Sequence, residues 1–151
     1  MSVGGFAKAI TNQLNSGVII IDFSYQLVYW NNFLDIYANK PLSKFQGQSL
    51  FEIFPELPAR WLRRKFSSVT QLKTPAFCSW EQRHHLFEFP HTRPITTDSH
   101  FMAQNCKFSI IENDAGDEFI YISIEDATDV CHYQVAMQQA LDKLALSNRV
   151  D

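Results

Sequence analysis

The chain has 151 residues, with 13 Lys and Arg against 16 Asp and Glu, a formal net charge of −3, and 46% hydrophobic residues. That length and apolar fraction suit one domain with a substantial core, while the mild acidity argues against a protein built chiefly to bind nucleic acid or an anionic membrane surface. Thirteen Phe, three Trp and five Tyr imply a bulky interior of mixed α and β structure, and five Gly with six Pro leave little material for disordered linkers.

In chain order, Phe6, Ile10 and Leu14 form one stripe of a short amphipathic helix over 1–14, broken at Asn15-Ser16-Gly17. Val18-Ile-Ile-Ile-Asp22 is the longest aliphatic stretch and reads as a buried strand, far short of the ~20 residues of a membrane span. A polar turn leads to a second strand, Gln26 to Trp30, in an antiparallel hairpin, after which Asn31 or Asn32 caps a short helix through Tyr37. Leu50 to Phe54 is one helical turn stopped by Pro55. Pro58 opens the longest internal helix, whose apolar face is Trp61, Leu62, Phe66, Val69 and Leu72. Strands are expected at Ala76–Gln82, Met102–Ile111 and Glu118–Glu125, the last two joined by a turn at Asp114 to Asp117. The long connection from Arg83 to Phe101 partly extends the first of these through Leu86 to Phe89. Asp126 caps a final helix with Asp129 in its first turn, where negative charge suits the dipole. Val130, Met137 and Leu144 recur every seven residues with Leu141 four after Met137, which is coiled-coil spacing.

Two strands at one end and three at the other close into an α+β fold, a five-stranded antiparallel sheet with helices across one face. The space between sheet and helices is a natural small-molecule cavity. Met1 to Leu14 lacks the charged start, apolar centre and cleavage site of a secretory signal, and Cys78, Cys106 and Cys131 form no C-x-x-C pair. A cytoplasmic protein with reduced thiols and no membrane insertion is expected.

From Gln13 to Thr128 the chain resembles the PAS, or sensory box, family. The resemblance rests on Gly17-Val-Ile-Ile-Ile-Asp22, Leu27-Val-Tyr-Trp-Asn-Asn-Phe33, Gly47-Gln-Ser-Leu-Phe51 and the closing Asp126-Ala127-Thr128. Phe33 departs from the small Ala frequent there and adds bulk near the cavity. Leu144 to Asp151 is similar to the stretch that leads into GGDEF-type diguanylate cyclase domains. The resemblance implies a sensory domain over 15–128, flanked by the helix over 1–14 and an outgoing helix or coiled-coil linker over 129–151, that controls an attached output domain making cyclic di-GMP. It also implies signal transfer through Asp126 and Thr128, and a homodimer paired through Met137, Leu141 and Leu144.

The candidate ligand pocket comprises Tyr29, Phe33, Trp61, Phe66, Trp80, Arg83, Arg93, Asn105 and Phe108, although aromatics at helix and strand spacing are more often plain core. Of Gln104 and Asn105, one should point inward. Arg83 and Arg93 either clamp a carboxylate or phosphate or tie the connection to the sheet rim. The basic run Arg60, Arg63, Arg64, Lys65 reads as a solvated helix face. His84 and His85, adjacent on an extended segment, would point to opposite faces and share no metal, and the helix Pro58 to Lys73 holds no His for haem. Cys78 and Cys106 read as small buried hydrophobes. No nucleophile elbow, phosphate-cradling Gly loop or metallohydrolase spacing is present, so no catalytic residue, metal or named cofactor is assigned. The functional alternatives are a ligand-binding sensor, a ligand-free dimerisation module and a haem-based redox or gas sensor.

Overall fold

The computed structural model describes residues 6, 9, 10, 13, 15–91 and 100–149. Strands β1 (Ser16–Ile21) and β2 (Leu27–Trp30) are followed by helices α1 (Asn32–Tyr37), α2 (Leu42–Phe45), α3 (Leu50–Ile53) and α4 (Ala59–Leu72), then by strands β3 (Ala76–Cys78), β4 (Gln104–Glu112) and β5 (Glu118–Asp126) and by helix α5 (Thr128–Arg149). The strands form one sheet in the order β2-β1-β5-β4-β3, antiparallel at every junction, as the α+β reading expected. Of the helix expected over 1–14, Phe6, Ala9, Ile10 and Gln13 are helical and exposed. Leu14, Arg93 and Asp151 lie outside the described residues.

The central strands follow from β-branched residues at a period of two. Ile19 and Ile21 of β1 stand opposite Ile122 and Ile120 of β5, and all four are fully buried beneath the helices. Each such side chain contributes about 1.5–3 kcal/mol of burial. The hairpin between β1 and β2 is closed by Asp22, whose Oδ1 accepts the Ser24 and Gln26 amides at 2.9 and 2.8 Å. Those bonds hold Tyr25 at φ 69°, a left-handed conformation that an aromatic residue rarely adopts. Gly17 is required where α1 crosses β1: a Cβ there would lie 2.9 Å from both Leu34 Cδ2 and Phe33 Cδ1.

Several local expectations are corrected. Asn31 is the N-cap of α1 by position, but its side chain makes no cap bond. Its Oδ1 accepts the Val18 amide at 3.0 Å and its Nδ2 donates to the Ser16 carbonyl at 2.9 Å, so it prolongs the β1–β2 ladder by one side chain. Leu72 is 68% exposed rather than part of the α4 face, because it sits in the last turn before Lys73 ends the helix in a left-handed conformation. Strand β3 stops at Cys78, not Gln82, since a tight turn follows in which the Gln82 and Arg83 amides both donate to the Ser79 carbonyl at 3.1 Å. Leu86, Phe87 and Phe89 do not extend that strand; they are buried in the core from an irregular segment.

Candidate functional site

The space between sheet and helices is packed with aromatic rings. Phe66 of α4 meets Phe108 of β4 edge to face at 5.5 Å, and Tyr25 at 5.6 Å. Phe54, after α3, meets Phe87 at 5.1 Å, and Phe87 stacks on Phe89 at 5.3 Å. Such pairs add about 0.5–1.5 kcal/mol each beyond area burial. Phe33 is buried over Gly17 and packs on Tyr37 at 4.4 Å. Of the expected pocket residues, Phe66, Phe108 and Phe33 therefore stand in this interior, in contact with neighbouring side chains.

The other expected pocket residues are placed at the rim or beyond it. Tyr29 is half-buried opposite Ile20, and strand alternation sends it to the face away from buried Trp30. Its hydroxyl is buried with no hydrogen-bond partner among the described residues, and burial first, then the charge of Asp35, raises its pKa. Trp61 is half-buried on α4, with Arg83 over its ring at 4.8 Å and Lys65 at 5.2 Å. Arg83 thus caps an aromatic ring at the rim. Trp80 donates its backbone N–H to Asn105 Oδ1 at 3.0 Å, which assigns Asn105 to closing the turn after β3. The Trp80 ring lines a shallow groove with Val135, Met137 and Leu141 of α5.

The inward member of the Gln104–Asn105 pair is Gln104, which is 1% exposed. Its Oε1 accepts the amides of Leu86 and Phe87, each at 3.0 Å, and its Nε2 donates to the Phe87 carbonyl at 2.9 Å. A buried amide that makes three hydrogen bonds to the backbone is a fixing device for the connection. Gln104 also donates its own backbone N–H to the His84 carbonyl at 2.9 Å.

His84 and His85 do not diverge. The segment turns there, and the two Nδ1 atoms lie 2.8 Å apart with rings nearly perpendicular at 88°. Burial, then His85 and His91, lower the His84 pKa. Among the described residues no three His, Cys, Asp or Glu converge as metal ligands. Cys78 and Cys106 stand opposite each other in the β3–β4 ladder, both buried as free thiols. Burial pushes both thiols up, strongly for Cys106, which is the behaviour of inert core cysteines.

At the exit from the sheet, Asp126 Oδ1 accepts both the backbone N–H and the hydroxyl of Thr128, at 3.0 and 2.6 Å. Thr128 Oγ1 in turn accepts the Ala103 amide at 3.2 Å, and the Ala127 amide donates to the Ala103 carbonyl at 2.7 Å. The root of α5 is thereby clamped to the start of β4. Beyond it the helix continues unbroken to Arg149, with Met137, Leu141 and Leu144 exposed at 66%, 54% and 61%. No helix among the described residues is long and apolar enough to cross a membrane.

No protein-family model and no curated protein matches the chain. Solved structures do match. A sensory box sensor histidine kinase from Vibrio cholerae shares 26% identity at a TM-score of 0.58, over 80% of this chain and 87% of that one. The PAS domain of nitrogen regulation protein NR(II) from Vibrio parahaemolyticus gives 15% and 0.55 over 83% and 99%. The photoactive yellow protein domain of the sensor histidine kinase Ppr from Rhodospirillum centenum gives 15% and 0.53 over 82% and 95%. The architecture is thus one used by signal-transduction sensors. The chain has the PAS domain fold.

Proposed function

We propose that this chain is a PAS sensory and regulatory module that works as a homodimer through α5, with its interior serving as a packed core rather than a cofactor cage. The observation that carries the reading is the row of exposed Met137, Leu141 and Leu144 on a helix whose root is hydrogen-bonded to the sheet through Asp126, Ala127 and Thr128. Apolar residues at heptad spacing on an exposed helix gain burial by pairing with a second copy. A shift of the sheet at Ala103 would reach the pair of helices through that clamp. The shift is driven only by an input that favours one of the two arrangements.

Among the three functional alternatives, the contacts of Phe54, Phe66, Phe87, Phe89 and Phe108 favour the ligand-free dimerisation module over a pocket holding a small ligand or haem. For the output, the similarity of Leu144 to Asp151 to the approach to cyclase domains supports cyclic di-GMP synthesis by an attached domain. A kinase output is the second reading, supported by the sensor histidine kinases among the structural neighbours. GTP turnover to cyclic di-GMP by the parent protein separates the two, and its absence removes the cyclase reading. For the dimer, sedimentation velocity is expected to give a dimer for the native chain and a monomer for Leu141→Asp. An unchanged profile for the variant would refute pairing through α5.

A further inference from the structure

We propose that His84 and His85 form a proton-operated latch, holding segment 84–87 on the head of β4 until both imidazoles are charged. A neutral imidazole offers one N–H and one bare nitrogen, so two Nδ1 atoms at 2.8 Å need a donor on one ring and a lone pair on the other. That holds when both rings are neutral, and it holds more strongly when one is an imidazolium. With two imidazolium rings, two N–H groups and two positive charges face each other, and the contact cannot persist.

Among the described residues, burial first, then His85 and His91 through their charge, lower the His84 pKa, and the guanidinium of the neighbouring Arg83 lies on Trp61. Phe101 packs on the His85 ring at 5.0 Å, and Gln104, on the β4 side, is uncharged. An unfolded chain takes up protons on both rings near pH 6.5. Because the His84 pKa is lowered in the folded state, the unfolded chain binds more protons as the pH falls from about 6.5 toward that lowered value, and stability is lost across that window. Above it, the stability is retained.

The position of the latch gives the opening a consequence. The His84 carbonyl accepts the Gln104 amide, and the Gln104 side chain holds Leu86 and Phe87. Ala103, one residue before Gln104, is the anchor of Ala127 and Thr128. Opening frees the connection from β4 beside the root of α5. This inference stands whether or not α5 dimerises and whatever the output domain is.

The test is amide hydrogen exchange by NMR on the full chain at pH 7.5 and 5.0, corrected for intrinsic exchange. Protection at Leu86, Phe87 and Gln104 is expected to fall about tenfold or more at the lower pH, while Ile19 and Ile122 change less than about twofold. In His85→Asn the amide side chain bonds to either form of His84, and the fall in protection at Leu86 and Phe87 should shrink to what burial and His91 alone impose on His84. Unchanged protection in the native chain, or an equal fall in His85→Asn, would overturn the latch. Should His85→Asn fail to fold, ¹⁵N imidazole shifts of the native chain decide: His84 titrating below the ordinary imidazole range supports the latch, and titration at or above it refutes it.

Discussion

Phe66 and Phe108 are each 1% exposed and meet inside the domain, whereas Met137 and Leu144, of similar hydrophobic character, stand in solvent along α5. The two regions lie within one chain and share the exit strand β5, so the contrast is not one of composition. In the interior, large side chains close against one another, and the buried amide Gln104 makes three hydrogen bonds to the backbone. On α5, Met137, Leu141 and Leu144 are exposed, with Met137 and Leu141 bordering the groove at Trp80. Removing an interior residue should therefore cost folding stability, and changing an α5 residue should alter association while leaving the fold intact.

That contrast can be broken in order of expected effect. Phe66→Ala empties a site ringed by Phe108, Tyr25 and Phe51, and a loss of about 3–5 kcal/mol is expected by urea denaturation. A loss below about 1 kcal/mol would mean that the interior is loosely packed and has room for a ligand. Gln104→Leu leaves the amides of Leu86 and Phe87 and the Phe87 carbonyl without partners, for a loss of roughly 2–4 kcal/mol. Leu141→Asp, measured at a concentration low enough to keep the chain monomeric, should change unfolding free energy by less than about 0.5 kcal/mol. Smallest of all, Tyr29→Phe removes a buried hydroxyl that has no partner and should be neutral or stabilising by up to about 1 kcal/mol. A clear destabilisation there would show that the hydroxyl has a bonding role.

The sheet was legible because its central strands are β-branched runs at a period of two, and α4 because Leu62, Phe66 and Val69 recur at helical spacing. The turns were legible at the polar stretch after Asp22 and at Asp114 to Asp117, although the bonds that close them come from Asp22 and from Asn113, whose Oδ1 accepts the Ala115 and Asp117 amides. Long-range side-chain bonds were not legible. Asn31 looked like a helix cap, yet it bonds to residues thirteen and fifteen positions away. The end of β3 depends on Asn105 capturing the Trp80 amide, a bond across 25 residues that no local pattern signals. The divergence expected of His84 and His85 assumed an extended backbone, and the turn after β3 removes that assumption.

For the pocket, the sequence supplied the right kinds of residue without their destinations. Aromatic residues at strand or helix spacing look alike whether they line a cavity or fill it, and only the neighbouring rings distinguish the cases. Phe87 and Phe89, which fill space beside Phe54, come from an irregular connection where no periodicity marks them as core. The outgoing helix was legible from its seven-residue repeat, and Met137, Leu141 and Leu144 of that repeat are exposed.

The most direct test of the account is native mass spectrometry of the freshly purified chain, which reads association and retained ligand in one spectrum. The expected result is a species of twice the chain mass with nothing added, collapsing to the bare monomer in Leu141→Asp. A bare monomer from the native chain, or a species carrying extra mass that survives mild activation, would contradict a packed-core module that pairs through α5.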